Sequence, residues 1–420
     1  MAFLNISNQD VAYTPGLQIF ATRQNQVAIE NIRFVECQPI SSISTEGSPV
    51  EIQIPGAGQE YLDLQRSRLY VKAKLLKHDG SHLTALEKTS IINLPSLNTN
   101  NYPWKAYIKT LMSTSHDDLQ QLESQLYYPD DPNLDETDPV SGSNGGLIKR
   151  GTFTKSSVEF ELEGPLMEDI FSIDKYMING VDINLKLYRS NNTFMCMSKE
   201  ASPDYKLVLL NVLFKACKVR VDPGVYLAHE KQIQIAPAQY PMLKNEVKMN
   251  SISTNSSEFL WDNLFQNALP NKVIIGFVNQ QVVNRSYVHN PFNFIHSNVT
   301  SIGLYVDGVS VPSRPLQLDF DKNQFVSAYL NLFDCAESKQ NRTGLTIERS
   351  YFPNGYSLFC FVIEPNNLGG KYLNLVKTGH TLLEVRFKTP TSVPISCLML
   401  AEFPTLLQID QFRDVRFIQP

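Results

Sequence analysis

The chain has no excess of positive charge. Its 37 lysines and arginines stand against 42 aspartates and glutamates, a net charge of −5. A protein that coats nucleic acid needs clustered basic side chains to neutralise phosphates, so the balance argues against sequence-specific nucleic-acid binding. Cysteine is sparse: Cys37, Cys196, Cys217, Cys335, Cys360 and Cys397 are scattered over 420 residues, with no C-x-x-C pair and no zinc spacing. Cys360 and Cys397 fall inside apolar strand-like runs, the setting of buried free thiols. No apolar run approaches the length of a membrane span. The start, Met1 to Ser7, has neither the basic region nor the apolar core of a secretion signal. Folding in a reducing compartment is therefore expected, and sequons such as Asn5, Asn191 and Asn284 are incidental.

Catalytic patterns are missing too. There is no Gly-x-Ser-x-Gly elbow, no His-Glu-x-x-His, no phosphate loop and no dinucleotide fingerprint. The seven histidines are dispersed, and His78 and His82 flank the turn Asp79-Gly80 rather than sharing a helix face. His229 beside Glu230 reads as a capping or interdomain hydrogen bond. The carboxylates from Asp117 to Asp138 could furnish a glycosidase pair, and Asp130-Asp131 with Asp135 a Ca²⁺ site. Their polar surroundings offer no apolar pocket to raise one pKa, and no glycine-punctuated loop. Tyr127, Tyr128, Phe292 and Phe294 could stack on sugars, although packing in a core or interface is commoner. No enzymatic activity, cofactor or metal is expected.

What the chain does have is alternation, and it has it twice. A 10% aromatic share and 24 prolines, with much Asn, Ser and Thr, favour an all-β fold. Val50, Ile52 and Ile54 alternate with polar residues and stop at Pro55-Gly56. Leu69, Val71, Ala73 and Leu75 alternate with Arg68, Tyr70, Lys72 and Lys74, one dry face and one wet face. Ile183, Leu185 and Leu187 return two hundred positions later as Leu383, Val385 and Phe387. Val158 to Leu162, ending at Pro165, returns as Leu358 to Val362, ending at Pro365. Val273, Ile275 and Phe277 repeat the alternation of Leu69, Val71 and Ala73.

Each half also carries a helix signal. Trp104, Tyr107, Ile108 and Leu111 fall at helical spacing behind Pro103, and Phe325, Tyr329, Leu332 and Phe333 form the counterpart. Asp222 can cap a junction helix with Pro223 at its first position. Residues 113–152 read as an exposed acidic excursion, since long polar loops in compact domains are functional or mobile. Leu207 to Val221 reads as a strand pair. Leu304-Tyr-Val-Asp-Gly-Val-Ser-Val311 predicts an Asp-Gly hairpin in the second half. Its equivalent around Ile91 to Asn101 is abbreviated.

These readings divide the chain into an arm (1–45), a first sandwich (46–221), a junction helix (222–231) and a second sandwich with a tail (232–420). With the duplication in hand, several strings resemble the major capsid proteins of Polinton (Maverick) elements and adintovirus-like viruses. They are Val50 to Leu62, Asp174 to Ile183, Leu227-Ala-His-Glu230, Asn290-Pro-Phe-Asn-Phe294, Leu304 to Gly308 and Ala401-Glu-Phe403. The resemblance runs in order over residues 45–415. It implies a double jelly roll, two eight-stranded sandwiches in tandem, with three chains forming a pseudo-hexagonal capsomer of an icosahedral virion. It also implies self-association and minor capsid or penton partners, with assembly inside the host cell. Trp104, Tyr107, Asp222, His229, Phe325 and Tyr329 are the residues expected at interfaces or the junction, and cutting 113–152 is expected to leave a trimer intact. A carbohydrate-binding or carbohydrate-active β-sandwich is the alternative.

Overall fold

A computed structural model describes residues 26–43, 47–84, 87–91, 101–266, 268–284, 286–336, 344–364 and 377–418. Most of the expected arm (residues 1–25) and of the abbreviated interval (92–100) lies outside the described residues.

The first half contains strands β1 (Ile29–Cys37), β2 (Val50–Ile54), β3 (Glu60–Lys77), β4 (Thr89–Ile91), β5 (Phe160–Gly164), β6 (Ile183–Leu187), β7 (Cys196–Ser198) and β8 (Tyr205–Val221). The second half contains β9 (Ala238–Ile252), β10 (Glu258–Asp262), β11 (Lys272–Asn279), β12 (Phe294–Ile295), β13 (Val299–Val306) and β14 (Val309–Gln317). It continues with β15 (Asn354–Gly355), β16 (Leu358–Val362), β17 (Thr381–Phe387), β18 (Ile395–Ile409) and β19 (Val415–Ile418).

The duplication is topological. One sheet of the first half runs β1-β8-β3-β5, and the second half repeats it as β9-β18-β11-β16, with β19 added on β18. In the opposing layers β2 pairs with β6 as β10 pairs with β17, all antiparallel. β17 continues into β13 and β14. The β13–β14 hairpin turns on Asp307 and Gly308, whose φ values of 49° and 81° are the left-handed pair that a tight two-residue hairpin requires. No strand among the described residues stands beside β6 where β13 stands beside β17. Consistent with the thinner cover, Ile183 and Leu185 are only half-buried, whereas Leu383 and Val385 are fully enclosed.

Two expectations are corrected. Leu207 to Val221 lies within one continuous strand, β8, because no turn residue interrupts it: its alternation slips by one place at Leu210–Asn211, where the register with β3 shifts, and the strand runs on. Residues 29–37, expected in an arm, form β1 and pair with β8 along its length. Their side chains are mostly exposed, so periodicity is weak on this edge strand.

Candidate functional site at the domain junction

The helix Tyr102–Ser113 carries Pro103 in its first turn, where the missing N–H is no loss. Its apolar stripe, Trp104, Ile108 and Leu111, is buried, but against the other half. These side chains belong to the core that holds Val273, Phe277, Phe292 and Phe294. Trp104 donates Nε1–H to the carbonyl of Pro291 at 2.9 Å and meets Phe194 edge-on. Tyr107 stacks on Phe292 at 4.2 Å, and burial, followed by the neighbouring Tyr356, pushes its phenol well above its ordinary range. The exchange is reciprocal. Tyr240 and Met242 of β9, with Leu407 and Ile409 of β18, close the core of the first half.

The acidic segment 113–152 is an exposed excursion only in its first part: Asp117, Asp118 and Glu123 lie on the surface, but from Leu126 onward the chain folds back into the molecule. Asn144 caps a helix, Gly145–Thr154, by accepting from Leu147 N–H. That helix places Arg150 in the interior, where Arg150 and Asp130 are each only 4% exposed. Arg150 donates to the Asp130 carboxylate and to the carbonyls of Tyr128 and Ile91. Asp130 also accepts from Asn290 Nδ2 at 3.3 Å, and its backbone carbonyl accepts from Tyr356 Oη at 2.6 Å. Asp135 accepts from Asn290 N–H at 2.8 Å and Asn293 Nδ2 at 2.9 Å. Between them Leu134 inserts into the second core, passing over Gly355, whose φ of +104° and absent side chain leave the room. The carboxylates that suggested Ca²⁺, Asp130, Asp131 and Asp135, are thus committed to protein donors: Asp131 accepts from Gly145 N–H at 2.7 Å. The candidate sugar-stacking rings Phe292 and Phe294 are enclosed in the seam.

Asp138 lies at the first-half end of this segment. Burial would raise its pKa, but the Lys88 ammonium at 2.6 Å and the N–H groups of Ser141 and Val140 outweigh it, holding it well below the carboxylate range. A second charged cluster ties the halves. Lys105 meets Glu168 at 2.8 Å and Asp169 at 3.1 Å, and Asp169 accepts twice from Asn245 of β9. Burial lowers the pKa of Lys109 in the same cluster; Asp169 opposes the shift and the neighbouring Lys105 ammonium adds to it.

Asp222 caps the helix Pro223–Ile233 through Gly224 N–H at 2.8 Å. His229 Nδ1 shares a 2.9 Å hydrogen bond with Tyr61 Oη, and Glu230 pairs with Arg413 near the C-terminal hairpin. Phe325 precedes the helix Val326–Cys335 and is buried in a stack with Phe320 and Phe352; Tyr329 donates to the Ile347 carbonyl at 3.0 Å. Trp104 and Tyr107 therefore sit in the seam within one chain, Asp222 and His229 on the junction helix, and Phe325 in the second core. The first four lie along the boundary between the halves; Phe325 and Tyr329 do not. Sequence reasoning missed Arg150 and Tyr356, and the part that Asp130 and Asn290 play in the seam. The available signal was the helix start Asn144-Gly-Gly before Leu147-Ile148, which marks 145–154 as structured.

No protein-family model matches the chain. A Caenorhabditis elegans protein described as uncharacterised is 24% identical over 421 residues, spanning 93% of this chain and 97% of its own. Among solved structures, a chain of the Sputnik virophage superposes with a TM-score of 0.64 at 10% identity, covering 98% of this chain and 93% of that one. The mavirus major capsid protein gives 0.53 at 12% identity, covering 98% and 96%. A chain of the PBCV-1 virus capsid gives 0.54 at 11% identity, covering 96% and 99%. The fold is a double jelly roll. Its two rolls are the two halves, and the seam between them is part of the chain's own core.

Proposed function

We propose that this chain is a viral major capsid protein, acting by shape and not by chemistry. The supporting observation is the repetition of one strand order, β1-β8-β3-β5 and β9-β18-β11-β16, in a fold that end to end resembles solved capsid chains. Two similar rolls per chain, repeated by a threefold axis, give six similar edges. Such a tile packs on an icosahedral lattice, and closed cyclic symmetry is an ordinary route to it. In this reading the chain is a homotrimer of the Polinton and adintovirus type, enclosing a double-stranded DNA genome without gripping its sequence, alongside minor capsid or penton proteins. The rigid seam fits the role, because a tile must hold the angle between its rolls.

The test is the solution mass of the purified protein by light scattering, with negative-stain images of the same peak. A particle near three times 47.5 kDa with a hexagonal outline is expected. A stable monomer at micromolar concentration would overturn the capsomer reading.

A further inference from the structure

A cavity of about 150 Å³ lies inside the seam, against the helix Tyr102–Ser113. Val71 and Leu162 of the first roll line it, with Ala106 and Tyr107 of the helix, Phe292 of the second roll and Tyr127 of the acidic segment. An apolar cavity of about this size accepts a benzene-sized guest. These walls are not wholly apolar. Tyr127 Oη is buried and finds no hydrogen-bond partner among the described residues. The neighbouring ring of Tyr107, centred 6.2 Å away, has its hydroxyl engaged: it bonds Tyr356, whose own proton goes to the carbonyl of Asp130 at 2.6 Å. A buried hydroxyl left unpaired carries its full desolvation cost, so a guest that meets Tyr127 supplies a bond the protein does not.

We propose that this cavity is a binding site for one small neutral molecule, a single ring bearing one hydroxyl or carbonyl group. The ring fills the space between Val71, Leu162 and Phe292, and its oxygen bonds Tyr127 Oη. The volume is below the range of about 300–1,000 Å³ that drug-sized ligands occupy, which restricts the guest to a single ring. Charge is disfavoured, because Asp130 and Arg150 on the same lining are already paired with each other and offer no free counter-ion. The walls come from both rolls and from the segment between them, so the guest stiffens the seam and stabilises the folded chain by mass action. The site needs only one chain's fold and stands apart from what the chain assembles into.

The probes are phenol and benzene, titrated calorimetrically into the full chain. Phenol is expected to bind saturably and at least about fivefold more tightly than benzene, the factor of one added hydrogen bond. Tyr127→Phe should lower the phenol affinity to that of benzene and leave benzene unchanged. Ala106→Leu keeps a good helix former while filling the space, and should abolish binding of both. No saturable binding of phenol would overturn the proposal, as would equal affinities for phenol and benzene, or phenol binding unmoved by either substitution. Should Ala106→Leu fail to fold, hydrogen exchange of the unsubstituted chain takes its place: phenol should slow exchange in both the helix Tyr102–Ser113 and β5. Protection confined to other surfaces would place the phenol elsewhere and overturn the proposal too.

Discussion

Tyr356 donates its hydroxyl to the backbone carbonyl of Asp130 at 2.6 Å, joining positions 226 apart. The same aspartate holds Arg150 through its carboxylate and receives Asn290 from the opposite roll. One buried residue of the acidic segment thus serves as acceptor for donors from both rolls.

Asp130→Ala leaves the Arg150 guanidinium buried without its counter-ion, and we expect a loss of about 3–5 kcal/mol. The double variant with Arg150→Met should recover much of it, because the uncompensated charge is gone. Urea midpoints for the two single variants and the double variant measure the coupling. The same geometry reverses the expectation for cutting 113–152: removal of Asp130, Leu134 and Asp135 should open the seam and disrupt assembly.

Trp104→Phe keeps an aromatic ring but withdraws the donor from the Pro291 carbonyl, a loss of about 1–3 kcal/mol. Trp104→Ala should cost about 3–5 kcal/mol through the cavity it leaves. Because Trp104 packs in the second core, hydrogen exchange should rise in β11 more than in β3. Loosening confined to β3 would contradict this assignment.

Gly355→Ala places a methyl 2.2 Å from Leu134 Cδ1 at a left-handed backbone angle. We expect about 1–3 kcal/mol of destabilisation from crowding and strain together. Adding Leu134→Ala removes the clash, so the pair should be less damaging than the sum of its parts. Thermal melts of the three variants read this directly.

Acid should weaken the first roll's hold on the 127–154 segment through Asp138. Its folded pKa is depressed, so its contribution is complete above the unfolded value near pH 4 and is lost as pH falls through the acid range below. Asp138→Asn should flatten the acid limb of a stability-against-pH curve between about pH 4 and pH 2. An unchanged limb would show that other carboxylates govern it.

Much of this architecture was legible in the chain. The paired alternations at Ile183 and Leu383 marked equivalent strands because a period of two survives wherever one sheet face is dry, and the strands at Phe160 and Cys360 were matched by their equal offset from Pro165 and Pro365. The helices at Trp104 and at Tyr329 could be placed from their apolar spacing. The cap at Asp222 and the hairpin at Asp307-Gly308 followed from local backbone chemistry. Edge strand β1 escaped notice because an exposed strand carries little alternation.

The acidic segment was misread for a different reason. Solvation looks the same in a sequence whether a carboxylate faces water or a buried guanidinium. Asp130 and Arg150 are twenty positions apart, and Asn290 and Tyr356 come from the other roll, so nothing local announces the pairing.

The sequence by itself determined most of the strands, the helices at Trp104, Asp222 and Tyr329, and the duplication, since these depend on near neighbours and on periodicity. Only the tertiary structure decided that the helix at Trp104 serves the opposite roll, that β9 and β18 close the first core, and that a polar loop forms the seam. These choices depend on which distant surfaces can exclude water together, a property of the whole chain's packing and not of any segment within it.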